Sequence, residues 1–386
     1  MPRTRIRPIE CPAGATALDT LRPALDAALA GTGPPLGLLP ADGTGADVLR
    51  AEVPIEVDGI AATVTTSGST GEPKVVLLPA GALRASATAT LDRMGGPGQW
   101  LLALPAHYVA GLQVLVRSSV AGTDPVVPDG SRFTAAAFAA ATARLDPGAR
   151  RYTALVPTQL SRVLSDAAGR DALASYDAVL LGGGAAPPSL VGRARAVTTV
   201  LTTYGMSETC GGCVYDGVPL AGVSAEVGDD GRIRLSGPVL AAGYRLRPDL
   251  TATAFEMRGG RRWHVTPDLG RWAGGTLEVL GRADDVAVCG GVNVPLHAVE
   301  QAVATHPDVT AGACVAVPDA EWGERVVAHV VPRGEAPALD ELRDHVARTL
   351  PRTWAPRELV LLDELPLLAS GKPDRRALRS ARRNGP

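Results

Sequence analysis

From about residue 50 to residue 280, short apolar runs alternate with glycine-rich turns and alanine-rich stretches. Short apolar runs bounded by turn residues are typical of buried strands, whereas the alanine-rich stretches favour helices. Strand, helix and strand in succession predict an α/β domain with a mainly parallel sheet. The predicted strands are Ala61–Thr65, Leu101–Leu104, Tyr152–Val156 and Ala178–Leu181, and the predicted helices include Phe133–Leu145 and Thr158–Ser165.

The pattern changes twice further along the chain. Residues 226–247 contain short strand-like segments separated by turn residues, which predicts a small antiparallel element. After Gly281 the spacing predicts a compact α+β unit, with strands over Val309–Val317, Arg325–Val331 and Glu358–Leu362, a helix over Pro295–Thr305, and another helix face at Leu342, Val346 and Leu350. Because single cores rarely grow beyond roughly 250–300 residues, we expect a large domain over residues 1–281 and a small, mobile domain over residues 282–386.

The overall charge gives no reason to expect a strongly charged partner. The chain has 38 Lys and Arg residues against 40 Asp and Glu residues, for a net charge of -2, so neither nucleic acid nor a membrane surface is predicted as a partner. No apolar run reaches the roughly 18 residues of a membrane-spanning helix, and no apolar signal core follows the N-terminal arginines. We therefore expect a cytoplasmic location.

The five cysteines do not form the pattern of a disulfide framework. Cys210 and Cys213 have the spacing of a thioredoxin-like pair, but no second pair is present to complete a zinc site. The glycines between them favour a loop, and a redox or metal role is the alternative.

The strongest local signal is Thr65-Thr-Ser-Gly-Ser-Thr-Gly-Glu-Pro-Lys74, directly after the first predicted strand. Backbone N–H groups, hydroxyls and a cation in such a loop suit a polyphosphate, although Pro73 and Val75 distinguish it from the GxxxxGK[ST] loop. Only Lys74 and Lys372 are lysines among the 38 basic residues, which argues against the alternative of an ordinary surface turn. The predicted phosphate contacts are Thr65, Thr66, Ser67, Gly68, Ser69, Thr70, Gly71 and Lys74.

Two further segments combine a glycine run with an aromatic and an acidic residue. The run Gly182–Ala185 follows a predicted strand and leaves bare backbone for a planar ring, whose other face Tyr204 could cover. Glu208 is a hard oxygen ligand of the kind that magnesium on phosphates requires. Each segment alone is compatible with a turn at the end of a strand, but together they indicate a nucleotide site. The predicted nucleotide contacts are Gly183, Gly184, Ala185, Tyr204, Gly205 and Thr209, with Ser207 and Glu208 as catalytic residues and Glu208 as the metal ligand.

Three charged residues suit the rest of a nucleotide site. Asp268 can accept hydrogen bonds from both hydroxyls of a ribose, and Arg282 can donate to ribose or phosphate oxygens. The alternative for each is an ordinary surface ion pair. Lys372 lies between glycine and proline at a predicted loop tip, which exposes its amine, although a lysine in such a place is usually only solvated.

These segments, in this order, resemble the adenylate-forming superfamily of acyl-CoA synthetases, luciferases and peptide-synthetase adenylation domains, over about Thr63 to Leu378. The resemblance implies that ATP, Mg²⁺ and coenzyme A are used, with the ATP β- and γ-phosphates at residues 65–74. It also implies that Lys372 is the adenylation lysine, that Asp284 is a hinge, and that Gly290 and Gly291 border a pantetheine tunnel. The family usually has Thr-Gly-Asp where this chain has Thr-Pro-Asp268.

Two segments are similar to a narrower group within that superfamily. Residues 104–118 and 204–216 resemble the o-succinylbenzoate-CoA ligases of menaquinone biosynthesis, particularly their short actinobacterial form. This implies ATP-dependent ligation of o-succinylbenzoate to coenzyme A through an acyl-adenylate, with release of AMP and pyrophosphate. That group commonly has two adjacent histidines where this chain has His107 and Tyr108. The second carboxylate of this aromatic acid needs a partner if buried, and the predicted acid contacts are His107, Tyr108, Arg117 and Gly182.

Other functions remain open from the sequence. They are another aryl or short-chain acyl-CoA synthetase, an adenylation domain that loads a carrier protein, and a nucleotide-binding scaffold without catalysis. The absence of a carrier-type serine motif after Leu378 favours a stand-alone enzyme, and Lys372 and Glu208 argue against the scaffold. The predicted partners are an aromatic acid, ATP and coenzyme A, and the predicted assembly is a homodimer.

Overall fold

The computed structural model describes residues 4–11, 14, 16–67, 73–130, 132–367 and 373–381. Gly68, Ser69, Thr70, Gly71 and Lys372, all predicted site residues, lie outside these ranges. The helices are α1 (Thr16–Ala30), α2 (Ala46–Leu49), α3 (Ala80–Met94), α4 (Val109–Ala121), α5 (Ala135–Thr142), α6 (Pro157–Ser165), α7 (Ala167–Leu173), α8 (Pro188–Arg195), α9 (Pro248–Ala254), α10 (Leu296–Ala304), α11 (Leu339–Val346) and α12 (Arg375–Ala381). The strands are β1 (Arg7–Cys11), β2 (Leu36–Pro40), β3 (Ile60–Ser67), β4 (Pro73–Pro79), β5 (Gln99–Leu101), β6 (Arg151–Leu155), β7 (Ala178–Leu181), β8 (Val200–Met206), β9 (Gly211–Tyr215), β10 (Val218–Pro219), β11 (Ser224–Val227), β12 (Arg232–Ser236), β13 (Gly243–Tyr244), β14 (Phe255–Arg258), β15 (Arg261–Ala273), β16 (Thr276–Arg282), β17 (Val286–Cys289), β18 (Val292–Pro295), β19 (Val309–Asp319), β20 (Gly323–Pro332) and β21 (Glu358–Leu361).

Two sheets combine parallel and antiparallel strands. The first has the order β1-β2-β3-β4-β13, with β1, β2 and β3 parallel and β4 antiparallel to both of its neighbours. The second has the order β10-β9-β8-β7-β6-β5, in which β5 to β8 are parallel and β9 and β10 are antiparallel. One hydrophobic core joins the helices α1, α3 and α4 to both sheets, and a second core joins α5 to α8 to the other face of the second sheet. The predicted α/β class is therefore confirmed.

Two further sheets complete the fold. Strands β11, β12, β14, β15 and β16 form an antiparallel sheet, whose β11–β12 pair is the antiparallel element predicted within residues 226–247. Strands β17 to β21 form the last sheet, which packs with α10 and α11 around its own core. This last unit has the predicted α+β composition. The division at residues 281 and 282 stays a prediction.

The predicted elements match those of the structure with local exceptions. The strand predicted over Leu101–Leu104 is wrong beyond Leu101, where the pairing with β6 ends and the backbone N–H of Leu102 donates to Val126 O. The helix predicted over Phe133–Leu145 is shorter, since the Thr134 hydroxyl accepts from Ala137 N and starts the helix at Ala135. Leu350 lies beyond the end of α11 and packs against the core from outside the helix.

Connections after parallel strands bring the predicted nucleotide segments to one edge of the second sheet. Residues 102–108 follow β5, residues 182–187 follow β7, and a 3₁₀ turn over Ser207–Thr209 follows β8. In open α/β sheets, ligands bind outside the carboxyl ends of the strands. None of the helices in the described part of the chain combines the length and the apolar character needed to cross a membrane.

Candidate active site

The predicted phosphate loop is the connection of a hairpin. Strands β3 and β4 pair antiparallel with Thr66 opposite Lys74, so both ends of the loop are held by a sheet. The residues in the middle of the loop lie outside the described ranges. Lys74 is half-buried and is the second residue of β4. Its Nζ lies 5.2 Å from the centroid of the Tyr244 ring.

Glu208 and Lys74 both contact Tyr244. The Tyr244 hydroxyl donates to Glu208 Oε1 at 2.6 Å, while the face of its ring lies near Lys74. Burial and the neighbouring Glu208 carboxylate raise the pKa of Tyr244, so the hydroxyl stays protonated and donates. The other carboxylate oxygen of Glu208 has no hydrogen-bond donor among the described residues. A half-buried carboxylate with one oxygen held and one available fits a magnesium ion, which usually takes one or two protein carboxylates together with phosphate oxygens and water.

Buried side chains form hydrogen bonds to the backbone of the turn that carries Glu208. Cys210 adopts a left-handed conformation, with φ of 50°, and its carbonyl accepts hydrogen bonds from Gln113 Nε2 at 2.7 Å and Ser86 Oγ at 3.1 Å. Thr209 is fully buried and its hydroxyl bonds to the backbone of Met206 and Gly211. The Thr209 hydroxyl therefore shapes the turn here, whereas a nucleotide contact was predicted for it.

Tyr204 and Asp268, predicted separately for adenine and ribose, are in direct contact. The Tyr204 hydroxyl donates to Asp268 Oδ2 at 2.8 Å, and the backbone N–H of Asp268 donates to the Thr266 hydroxyl at 3.1 Å. Burial raises the pKa of Asp268, and the Tyr204 hydrogen bond and nearby Arg282 oppose that shift. The proline in Thr266-Pro-Asp268 thus leaves the carboxylate beside Tyr204.

Arg282 is directed at the predicted hinge. Arg282 lies opposite Asp268 in the β15–β16 pairing, but its guanidinium forms two hydrogen bonds with Asp284, at 2.7 and 2.9 Å. Both side chains are nearly half exposed, so this pair contributes little to stability. Next to it, Asp285 pairs with Arg375 at 2.6 Å.

The glycines of the site are required by close packing at some positions and not at others. A Cβ at Gly182 would lie 2.3 Å from Thr203 Oγ1, and a Cβ at Gly205 would lie 2.2 Å from the Gly211 carbonyl oxygen. Gly183 has a positive φ of 77°, whereas a Cβ at Gly184 would meet no atom within 4 Å. Bare backbone at Gly184 therefore faces open space, as a ring-binding surface requires.

Gly290 and Gly291 form the tight turn between β17 and β18. Both have positive φ values, 60° and 79°, which glycine adopts without strain. A Cβ at Gly290 would lie 2.6 Å from the Trp322 ring, and the Gly290 N–H donates to the Trp322 carbonyl at 2.7 Å.

The predicted acid contacts divide into an exposed and a buried group. Tyr108 is 56% exposed, directly before α4, and its ring centroid lies 4.3 Å from that of His107. Burial lowers the pKa of His107, with Asp42 opposing, which favours the neutral ring. Arg117 is 3% exposed, 5.0 Å over the Trp100 ring, and its Nε has no hydrogen-bond partner among the described residues. The Nδ1 of His107 is likewise buried without a hydrogen-bond partner among the described residues, but its ring is neutral, so Arg117 remains the stronger candidate for pairing a buried carboxylate.

The cysteine pair lacks the environment of a redox site. Cys210 and Cys213 are fully buried free thiols, and burial raises the pKa of both. Reactive cysteines require partly exposed, electropositive surroundings that stabilise the thiolate.

No strong sequence pattern indicates three residues of the site. They are Tyr244, which meets Glu208 and Lys74, Gln113, which holds the Cys210 carbonyl, and His264, whose Nε2 lies 3.3 Å from Met206 Sδ. Tyr244 follows a glycine and is one of only six tyrosines, which is the one clue the sequence offered.

Comparison with known families places this arrangement. The AMP-binding enzyme model matches residues 14–245, and the model of the AMP-binding enzyme C-terminal domain matches residues 298–372. The chain belongs to the AMP-binding enzyme family. This confirms the resemblance to the adenylate-forming superfamily that the sequence segments between Thr63 and Leu378 indicated.

Individual relatives within the AMP-binding enzymes differ in the acid that their names specify. The chain is 48% identical to a probable 2-succinylbenzoate–CoA ligase of Mycobacterium tuberculosis strain H37Rv, over 97% of both chains. It is 34% identical to a sulfoacetate–CoA ligase of Cupriavidus necator, over 92% of this chain and 74% of the relative. The solved o-succinylbenzoate CoA synthetase (MenE) of Bacillus subtilis, in complex with the intermediate OSB-AMP, superposes with a TM-score of 0.73 at 24% identity, over 97% of this chain and 88% of that chain. This last similarity confirms the fold.

Proposed function

We propose that this AMP-binding enzyme joins 2-succinylbenzoate to coenzyme A at the expense of ATP, through an acyl-adenylate. The observation that carries the proposal is the 48% identity over 97% of both chains to a probable ligase of that name. In the first step a carboxylate oxygen attacks the α-phosphorus of ATP, and the bond to pyrophosphate breaks. In the second step the coenzyme A sulfur attacks the acyl carbon, and AMP leaves.

The first step needs positive charge between two anions. A carboxylate and a phosphate oxygen about 4 Å apart repel by roughly 4 kcal/mol at an effective dielectric near 20. We assign this cation to Lys372, and Lys74 to the departing pyrophosphate. The half-buried position of Lys74 at the start of β4 is consistent with that assignment.

Glu208 would hold magnesium on the phosphates, and its free oxygen supports this assignment. A bound magnesium ion supplies charge neutralisation on the phosphate oxygens. Thr65 and Thr66 extend the same surface at the end of β3. Ser207, at the start of the turn, is assigned to this group by sequence position.

The nucleoside would lie at the carboxyl edge of the second sheet. Tyr204 and the open surface at Gly184 would enclose the adenine, and Asp268 would accept the ribose hydroxyls. The 2.8 Å contact between Tyr204 and Asp268 supports this arrangement, because it puts both contacts side by side. For Arg282 to reach the ribose, it would have to give up its pair with Asp284.

The acid would lie along α4, beginning at His107 and Tyr108 and reaching Arg117 in the second half of the helix. Arg117 would pair the ring carboxylate of 2-succinylbenzoate. A buried guanidinium with an unpartnered Nε is costly in the free protein, and a buried carboxylate would remove that cost.

The second step requires the lysine to leave. A rotation near Asp284 would carry Lys372 away and bring Gly290 and Gly291 to the site, where they would border the pantetheine path. The exposed Arg282–Asp284 pair is weak enough to break during such a rotation.

Another acid is the second candidate. The sulfoacetate–CoA ligase at 34% identity indicates that similar chains activate chemically different acids. A carrier-loading role would require a holo-carrier protein to accept the acyl group faster than coenzyme A.

The test is an assay of the purified protein with ATP, coenzyme A and a panel of acids. We expect the highest kcat/KM with 2-succinylbenzoate, and equal amounts of AMP and 2-succinylbenzoyl-CoA by mass spectrometry. Preference for sulfoacetate, a short-chain acid or benzoate would refute the acid assignment but keep the reaction class. The predicted cytoplasmic location and homodimer are separate proposals, which fractionation and light scattering would test.

A further inference from the structure

Tyr244 lies where the two halves of the proposed phosphate site meet. Its strand β13 pairs with β4, with Tyr244 opposite Val76. Val76 and Lys74 are two residues apart and share one face of β4, so the ring of Tyr244 is a diagonal neighbour of Lys74. The observed 5.2 Å between Lys74 Nζ and the ring centroid agrees with this register.

The backbone around Tyr244 is held on both sides. The Tyr244 N–H donates to Thr251 Oγ1 at 2.9 Å, and the neighbouring residues Ala242 and Arg245 donate to carbonyls of β4. The tyrosine side chain is 6% exposed and packs against Phe255, with ring centroids 6.3 Å apart. A side chain fixed this firmly can fix the group that it contacts.

Among the described residues, the Tyr244 hydroxyl forms a hydrogen bond with Glu208 alone. The 2.6 Å hydrogen bond to Glu208 Oε1 is short, as expected for a hydroxyl that donates to a carboxylate. The bond leaves the second carboxylate oxygen of Glu208 available for another ligand. Without it, the half-buried Glu208 side chain would be free to adopt other rotamers.

We propose that Tyr244 is a positioning residue, which holds Glu208 in the rotamer that binds magnesium beside the ATP phosphates. The inference rests on the proposed role of Glu208. Tyr244 itself does not contact the metal or the reacting atoms, so it acts through the carboxylate.

The test measures binding, not turnover. Calorimetry of a non-hydrolysable ATP analogue, α,β-methylene-ATP, is performed on the full chain over a range of Mg²⁺ concentrations and without Mg²⁺. We expect Tyr244→Phe to weaken Mg²⁺-dependent binding about tenfold, as for the loss of a hydrogen bond to a charged group. Binding without Mg²⁺ should hardly change, because phenylalanine keeps the ring under Lys74.

Two comparisons distinguish the loss of the contact that positions Glu208 from a general loss of stability. Tyr176→Phe is the matched control, since Tyr176 is also buried and its hydroxyl bonds to Thr142 at 2.8 Å in the second core, and it should not alter Mg²⁺ dependence. In a Glu208→Gln background, adding Tyr244→Phe should change binding less than twofold, because Tyr244 then has no carboxylate to orient.

Three outcomes would overturn the inference. They are an unchanged Mg²⁺ dependence in Tyr244→Phe, an equal effect of Tyr244→Phe with and without Glu208→Gln, and an unchanged Mg²⁺ dependence in Glu208→Gln. Failure of the wild-type protein to act on 2-succinylbenzoate would refute the proposed function, yet the binding comparison would still test Tyr244.

Discussion

At the scale of single residues, hydrogen bonding separates the buried polar side chains that shape the site from the one that we expect to pair with a ligand. Thr209 is fully buried, and its hydroxyl bonds to backbone groups of the turn. Arg117 is buried as deeply, but its Nε is unpartnered among the described residues. Unpaired buried polar groups are rare because each costs roughly 1–3 kcal/mol, so Arg117 is the clearest candidate for a contact with a charged ligand.

This contrast predicts how Arg117 selects the acid. Arg117→Met keeps most of the packing against Trp100 and removes the charge, so kcat/KM for 2-succinylbenzoate should fall by roughly 30-fold or more, the effect of about 2 kcal/mol or more for a lost buried partner. The matched substrate is 4-oxo-4-phenylbutanoate, which lacks the ring carboxylate and should lose less than threefold. Equal losses for both acids would mean that Arg117 has a structural role only.

At the scale of elements, local sequence patterns predict the strands and helices that have a run or spacing of apolar residues. They miss features that depend on pairing with a distant part of the chain. The run Ala178–Leu181 is fully buried, and its predicted bounds are those of β7. The predicted strand at Leu101–Leu104 fails after Leu101 because the pairing with β6 ends there and the Leu102 N–H donates to Val126, a distant residue that no local pattern identifies. Tyr244 was missed for the same reason, since only the pairing of β13 with β4 brings it to Glu208.

The β8–β9 hairpin gives a prediction at this scale, because it carries both Tyr204 and Glu208 at one end. Gly205→Ala would place a Cβ 2.2 Å from the Gly211 carbonyl oxygen and 2.7 Å from the Gly212 Cα, and contacts with backbone atoms leave little room to relax. We expect a loss of about 1–3 kcal/mol in the free energy of unfolding, together with weaker nucleotide binding.

Gly192→Ala in α8 is the control for this variant. A Cβ there would meet no atom within 4 Å, and alanine favours a helix over glycine by up to about 1 kcal/mol. Thermal unfolding should therefore show a lower Tm for Gly205→Ala and an equal or higher Tm for Gly192→Ala. Equal Tm values in the two variants would contradict the close packing of the hairpin.

At the scale of the whole molecule, the two lysines belong to parts of the chain that the proposal requires to move relative to each other. Lys74 starts β4 in the first sheet, and Lys372 lies beyond β21 in sequence, within the range matched by the C-terminal domain model. The rarity of lysine in the sequence drew attention to both residues, and the resemblance to the adenylate-forming superfamily implied the role of Lys372. The proposed rotation would have no signature in composition or periodicity, because it would depend on weak contacts such as the Arg282–Asp284 pair, which only the structure reveals.

Separate half-reactions distinguish the two lysines. Lys372→Ala should slow adenylate formation by as much as about a thousandfold, the effect of the roughly 4 kcal/mol repulsion that it would relieve. It should leave thioester formation from supplied acyl-adenylate largely intact, since the lysine has moved away by then. Lys74→Ala should reduce adenylate formation less, because the backbone N–H donors expected of a phosphate loop would remain. Pyrophosphate exchange and acyl-CoA formation measure the two steps, and equal loss in both steps for Lys372→Ala would exclude a lysine that serves only the first.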